Sequence, residues 1–166
     1  MCENYKPDIP GKDDPGRGRR LAFDVGLARI GVASCDPDGI LATPVETIHL
    51  RYLPWPEETL SYVGELIDEY EPVELVVGLP RTLKGRSGQS VDMAMEFVNK
   101  VRERHPHIPV RLVDERLSTV VATRALRDSN VKSRAQRSVV DQAAAVEILN
   151  TWLELRKKHL EQGENE

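Results

Sequence analysis

The sequence predicts an α/β fold: a mixed five-stranded sheet flanked by helices, in the order β-β-β-α-β-α-β-α-α along the chain. Three observations carry this expectation. Apolar runs of strand length alternate, from residue 56 onward, with stretches of helical period. The first three runs follow one another across short turns, which makes a meander, whereas the later ones are separated by helices, which makes parallel neighbours. Finally, 166 residues that are 40% hydrophobic and 30% charged suit one soluble domain with a real core.

Residues 1–18 are rich in Pro, Gly and charge with almost nothing to bury, so they read as a disordered N-terminal arm. Leu21-Ala-Phe-Asp-Val-Gly26 and Arg29-Ile-Gly-Val-Ala-Ser-Cys35 are short apolar strands close enough to form a hairpin. Asp36-Pro-Asp-Gly39 is a turn by composition, and Ile40 to Ile48 reads as a third strand with Pro44 marking an edge or a bulge. From Pro56 the period turns helical: Leu60, Val63, Ile67 and Tyr70 share a face, with Glu57 and Glu58 in the dipole-favoured first turn. Glu74 to Gly78 is a central strand buried on both faces, followed by a polar loop from Leu79 to Gln89. Val91, Ala94, Met95, Val98 and Val101 stripe a second helix that His105-Pro106 ends. Pro109 to Val113 is the fifth strand. Ser118 opens a short helix through Arg127, and a last helix starts at Ser133 or Ser138 and runs to a charged tail over 157–166.

Composition also excludes. No apolar run approaches the roughly 18 residues of a membrane span, and the first residues carry no secretory core, so the expectation is a cytoplasmic protein without a membrane partner. Cys2 and Cys35 make neither a disulfide framework nor a metal knuckle, and His49, His105, His107 and His159 lack ligand spacing. A net charge of −4 hides an asymmetry. Residues 53–74 hold Glu57, Glu58, Glu65, Asp68, Glu69, Glu71 and Glu74 with no Lys or Arg. In 102–137 the bases Arg102, Arg104, Arg111, Arg116, Arg124, Arg127, Lys132, Arg134 and Arg137 outnumber the acids. That pattern suits an anionic ligand on one side, with the bases expected around it.

Acids interrupt the apolar runs at three places. Asp24 lies inside the first strand, Asp114-Glu115-Arg116 closes the fifth, and Asp141 shares a helical stripe with Ala145, Ile148 and Trp152. Whether Asp141 sits near the helix start or two turns inside depends on which capping box is used, Ser138-Val-Val-Asp141 or Ser133-Arg-Ala-Gln136, and the sequence leaves both open. A lone buried carboxylate is costly unless a cation or hydrogen bonds answer it, and several converging on one sheet edge repel. A divalent ion resolves this, and hard oxygen ligands suit Mg²⁺ or Mn²⁺. Such ions activate water and stabilise the leaving oxygen of a phosphodiester. The loop Gly78-Leu-Pro-Arg-Thr-Leu-Lys-Gly-Arg-Ser-Gly88 adds glycines and bases suited to phosphate.

Four segments together resemble the YqgF (RuvX-like) family of Holliday junction resolvases, also described as pre-16S ribosomal RNA nucleases. They are Phe23-Asp-Val-Gly-Leu-Ala-Arg-Ile-Gly-Val-Ala33, Val76-Val-Gly-Leu-Pro80 with Gly85 and Gly88, Asp114-Glu-Arg-Leu-Ser-Thr119, and Val140-Asp-Gln-Ala-Ala-Ala-Val-Glu-Ile-Leu149. The resemblance implies an RNase H-like domain over 19–156 and metal-dependent phosphodiester hydrolysis. Asp24, Asp114, Glu115 and Asp141 take the catalytic positions, and Asp24, Glu115 and Asp141 hold the metal. Arg29, Arg81, Lys84, Arg86, Arg116 and Arg134 are the candidate nucleic-acid contacts. Structured RNA in 5′-end processing of pre-16S ribosomal RNA is the expected substrate, with a pre-ribosomal particle as partner and a monomer or weak dimer as the working form. The alternatives are a dimeric resolvase of four-way DNA and a non-catalytic RNase H-like binding module. The Asp24-x-Gly26 hairpin is also similar to the first phosphate loop of actin-like ATPases, but those need two such domains, which 166 residues cannot supply.

Overall fold

The computed structural model describes residues 6–26, 28–50, 55–79, 89–115 and 134–164. Five strands form one sheet: β1 (Arg20–Val25), β2 (Arg29–Cys35), β3 (Ala42–His49), β4 (Glu74–Leu79) and β5 (Val110–Asp114). Three helices are described, α1 (Glu57–Tyr70), α2 (Gln89–Arg104) and α3 (Arg134–Glu164). The short helix expected over Ser118–Arg127 lies outside the described residues. Spatial order is β3-β2-β1-β4-β5, with β1–β2 and β2–β3 antiparallel and β1–β4 and β4–β5 parallel. The mixed sheet of the expected fold class is therefore present. Among the described residues no helix is long and apolar enough to cross a membrane.

Strand alternation sorts side chains onto two faces. Leu21, Phe23, Val25, Ile30, Val32, Leu75, Val77, Leu79, Val110 and Leu112 pack against α1 and α2 in one core cluster. Ala22, Ala33, Val76 and Val113 point the other way, under Ala144, Ala145, Ile148, Leu149 and Trp152 of α3. The residues on the α3 side of the sheet are smaller, which lets that helix lie close to the strands. At Gly31 the approach is so close that a Cβ would fall 2.1 Å from the backbone oxygen of Asp141.

Local signals set most boundaries. Pro56 caps α1 in extended geometry, and Glu71 ends it in the left-handed region at φ 47°, its N–H donating to Ile67 O. Pro44 lies on edge strand β3 at a register shift: Val32 pairs with Glu46, but Ala33 pairs with Pro44. α3 begins at Arg134, which sets aside the start at Ser138 and leaves Asp141 two turns inside. It also runs to Glu164, so the tail expected from residue 157 continues the helix rather than leaving it.

The arm departs from expectation. Residues 1–5 lie outside the described residues, but from residue 6 the segment is docked. Asp8 N donates to Leu112 O at 2.9 Å, and Leu112 N donates to Asp8 Oδ2 at 2.7 Å, so the arm satisfies the outer edge of β5. Asp14 accepts from Arg156 Nε and Nη2 at 2.6 and 2.9 Å and from Arg20 Nη2 at 3.2 Å. Arg20 in turn donates to Glu74 Oε1 at 3.0 Å, and Glu74 also accepts from Trp152 Nε1 at 2.8 Å and Arg111 Nε at 3.1 Å. Ion pairs and main-chain bonds, not apolar burial, hold the arm, which is why composition alone read it as disordered.

Candidate active site

β1, β4 and β5 run parallel, so their carboxyl ends share one edge of the sheet, where open α/β sheets bind ligands. Asp24 is the penultimate residue of β1, Gly78 of β4, and Asp114 closes β5 with Glu115 directly after. Asp24 pairs with Gly31 of β2, and its neighbour Phe23 pairs with Val77, so Asp24 stands between two glycines on adjacent strands. It follows Ala22 onto the α3 face. Its side chain is buried, as are those of Asp114, Glu115 and Asp141.

The two glycines matter because each leaves room for a carboxylate-bearing residue. A Cβ on Gly31 would meet Asp141 Cβ at 3.2 Å as well as the helix backbone. A Cβ on Gly78 would meet Glu115 Oε1 at 2.7 Å and Ile148 Cδ1 at 2.5 Å. Glu115 and Asp141 thus reach the α3 face on either side of Asp24. Asp114 pairs with Leu79, whose side chain belongs to the opposite core cluster, so Asp114 is directed to the α1–α2 face. The structure brings Asp24, Glu115 and Asp141 to one face and sets Asp114 apart.

Asp141 receives a hydrogen bond from Arg29 Nε at 2.5 Å. Arg29 precedes Gly31 by two residues on β2 and shares its face; across the sheet it pairs with His49, as Gly31 pairs with Thr47. Gln142, beside Asp141, donates through Nε2 to Thr47 Oγ1 at 3.2 Å and ties the helix to β3 at the same level. At the hairpin, Gly26 N donates to Arg29 O at 2.8 Å, which fixes the turn that places Asp24 opposite Gly31.

The donor set, three buried carboxylates on one face, has the chemistry of a hard-cation site. Among the described residues, however, no three His, Cys, Asp or Glu side chains are set to hold a metal ion as they stand. One of the carboxylates, Asp141, is turned to Arg29.

The basic footprint divides. Arg29 is at the acids. Arg81, Lys84, Arg86 and Arg116 lie outside the described residues, and Arg134 is the first residue of α3. The expectation that the bases of 102–137 surround the acids fails for the three whose side chains are described. Arg102 donates to Val110 O, Arg104 pairs with Glu57, and Arg111 pairs with Glu74, all toward the end of the sheet where β5 begins. Sequence reasoning missed the roles of Gly31 and Gly78. Their signal was available: each is a glycine inside an apolar strand, which marks a close approach.

A protein of Rhodococcus jostii named "Putative pre-16S rRNA nuclease" is 52% identical over 160 residues, covering 96% of this chain and 90% of the relative. One of the same name from Nocardia farcinica is 56% identical over 147 residues, covering 86% and 81%. Among solved structures, Thermus thermophilus RuvC in complex with a Holliday junction substrate matches at TM-score 0.52 and 12% identity, covering 82% of this chain and 94% of that one. The yeast mitochondrial Holliday junction resolvase Ydc2 matches at 0.53 and 12%, covering 89% and 83%. These two share the fold, which is RNase H-like. The profile of the RuvX family, described as Holliday junction resolvase, matches residues 18–155, and the chain belongs to that family.

Proposed function

We propose that this protein is a divalent-metal-dependent nuclease that hydrolyses phosphodiester bonds in the 5′-end processing of pre-16S ribosomal RNA. The observation that carries the reading is the placement of Asp24, Glu115 and Asp141 as buried carboxylates on one face, at the carboxyl edge of the parallel strands. The name shared by relatives about half identical to this chain points to the substrate. Asp24, Glu115 and Asp141 would hold Mg²⁺ or Mn²⁺, which when bound supplies an activated water and charge stabilisation at the leaving oxygen. Arg29 contacts the phosphate backbone, with Arg81, Lys84, Arg86, Arg116 and Arg134 extending the contact. The protein acts in the cytoplasm on structured RNA or a pre-ribosomal particle, as a monomer or weak dimer.

The test is Asp24→Asn. The substitution keeps shape but removes the charge between the two glycines. Cleavage of precursor RNA should fall by orders of magnitude. Fold stability should hold or rise, because one repelling charge has gone. Wild-type protein should gain thermal stability with Mn²⁺ by mass action, and the variant should gain little. Cleavage by Asp24→Asn at the wild-type rate would end the metal-nuclease reading in favour of a binding module.

The family's description favours a second reading, resolution of four-way DNA. Symmetric cleavage of two strands requires an isologous dimer. Junction cleavage by a dimer stable at micromolar concentration, with no cleavage of precursor RNA, selects that reading.

A further inference from the structure

Arginine and carboxylate can meet as a fork, two N–H groups on two oxygens, as Arg156 meets Asp14. Arg29 does not meet Asp141 in that way. Its Nε alone donates to Asp141 Oδ2, and among the described residues its two Nη groups are not engaged by another side chain or carbonyl. The Asp141 side chain is 2% exposed and that of Arg29 is 18% exposed, so the guanidinium links a buried carboxylate to the edge of the solvent. It does so on the face that carries Asp24 and Glu115, two residues along β2 from the glycine that Asp24 faces. Among the described residues, one member of the carboxylate set is therefore already paired with a cation of the protein itself.

We infer that Arg29 is a resident cation that holds Asp141 until a divalent ion replaces it, and that the released guanidinium then takes the phosphate of the substrate. This rests on the reading of Asp24, Glu115 and Asp141 as metal ligands. A buried carboxylate needs a cation, but a guanidinium and a divalent ion compete for the same oxygen and repel each other across it. Ion binding and the Arg29–Asp141 contact are thus antagonistic. A phosphate that draws Arg29 away removes the competitor, and by linkage the ion then tightens the hold on phosphate by the same factor. The site is armed by ion and substrate together, while the ion-free protein keeps Asp141 neutralised and folded. Arg29 is a positioning residue before the exchange and a substrate contact after it.

The direct readout is the Arg29 Nε–Hε resonance in wild-type protein, assigned by its loss in Arg29→Lys. Without divalent ion it should lie downfield and exchange slowly with water. As Mg²⁺ saturates, it should move upfield and lose its protection. In Asp141→Asn it should move upfield, toward its Mg²⁺-loaded position, without any Mg²⁺. Calorimetry with Mn²⁺ alone gives the second readout: Arg29→Gln should bind the ion roughly five-fold or more tightly than wild type while binding RNA more weakly. A resonance unchanged at saturating Mg²⁺ overturns the exchange, and so does an Arg29→Gln variant that binds Mn²⁺ equally or less tightly. Should that variant fail to fold, the wild-type titration still decides. If wild type itself takes up no Mn²⁺, the metal reading falls and the exchange falls with it; if wild type binds Mn²⁺ and the resonance stays put, only the exchange is lost.

Discussion

Glu115 Oε1 occupies the space that a side chain on Gly78 would need, 2.7 Å from where its Cβ would lie. The carboxylate that follows β5 is therefore seated over the backbone of β4, and the missing methyl group is what admits it. Ile148 Cδ1 crowds the same spot from α3, at 2.5 Å.

Gly78→Ala should accordingly cost about 1–3 kcal/mol, the usual range for overpacking a tight core. Cleavage by the folded fraction should fall as well, because Glu115 must move. Adding Ile148→Ala relieves one of the two clashes, so the double variant should lose less stability than the two single losses sum to, without recovering cleavage. Urea unfolding and single-turnover cleavage on the single and double variants check this split.

The two acids at the end of β5 should separate. Glu115→Gln should reduce cleavage by orders of magnitude, whereas Asp114→Asn, which alters a group directed to the α1–α2 face, should leave it within a few-fold. Equal losses in both variants would show that the alternation of faces does not persist to the strand's end.

Asp14 gives a pH signature. Burial alone would raise its pKa, but the Arg156 hydrogen bonds and charge, the Gly16 amide and Arg20 outweigh burial and hold it below 3.8. A carboxylate with a depressed folded pKa contributes stability in full above the unfolded value, and that contribution is lost as pH falls through the folded value. Asp14→Asn should thus be less stable than wild type by about 1–3 kcal/mol at neutral pH. The gap should close as pH drops below 3.8. A difference unchanged in urea titrations at about pH 2.5 would contradict it.

Glu74 receives two arginines and an indole while almost wholly buried. Glu74→Ala removes the buried carboxylate from Arg20 Nε, Arg111 and Trp152, leaving Arg20 with Asp14 and two carbonyls, and should cost about 3–5 kcal/mol. The network lies where β4 begins, at the edge opposite the acids, so protein that remains folded should cleave at the normal rate. Denaturant midpoints and cleavage rates normalised to folded protein measure both.

Most of the sheet was legible because its period is plain: β2 spans Arg29–Cys35 as read, and the other described strands and helices shift by a few residues at most at their starts. Asp24 was legible as a charge inside an apolar strand, and Asp141 because Ala145, Ile148 and Trp152 on its stripe are buried with it. Which of Asp114 and Glu115 faces Asp24 was not, since alternation gives opposite faces without saying which one α3 covers. The Arg29–Asp141 pair joins residues 112 apart in sequence, and no local pattern announces it. Glu74 read only as the start of a strand, because its partners come from β1, β5 and α3 and meet only when the sheet closes.

The docked arm bears on how the protein is handled at the bench. The family match begins at residue 18, and trimming to that boundary removes Asp8 and Asp14 together. Such a chain would bare the outer rim of β5 at Leu112 and leave Arg156 without its carboxylate partner on a surface that now offers backbone groups to any passing strand. Self-association of the shortened protein would then be an artefact of the cut, and a dimer found with it would say nothing about the oligomeric form in which the full chain meets its substrate.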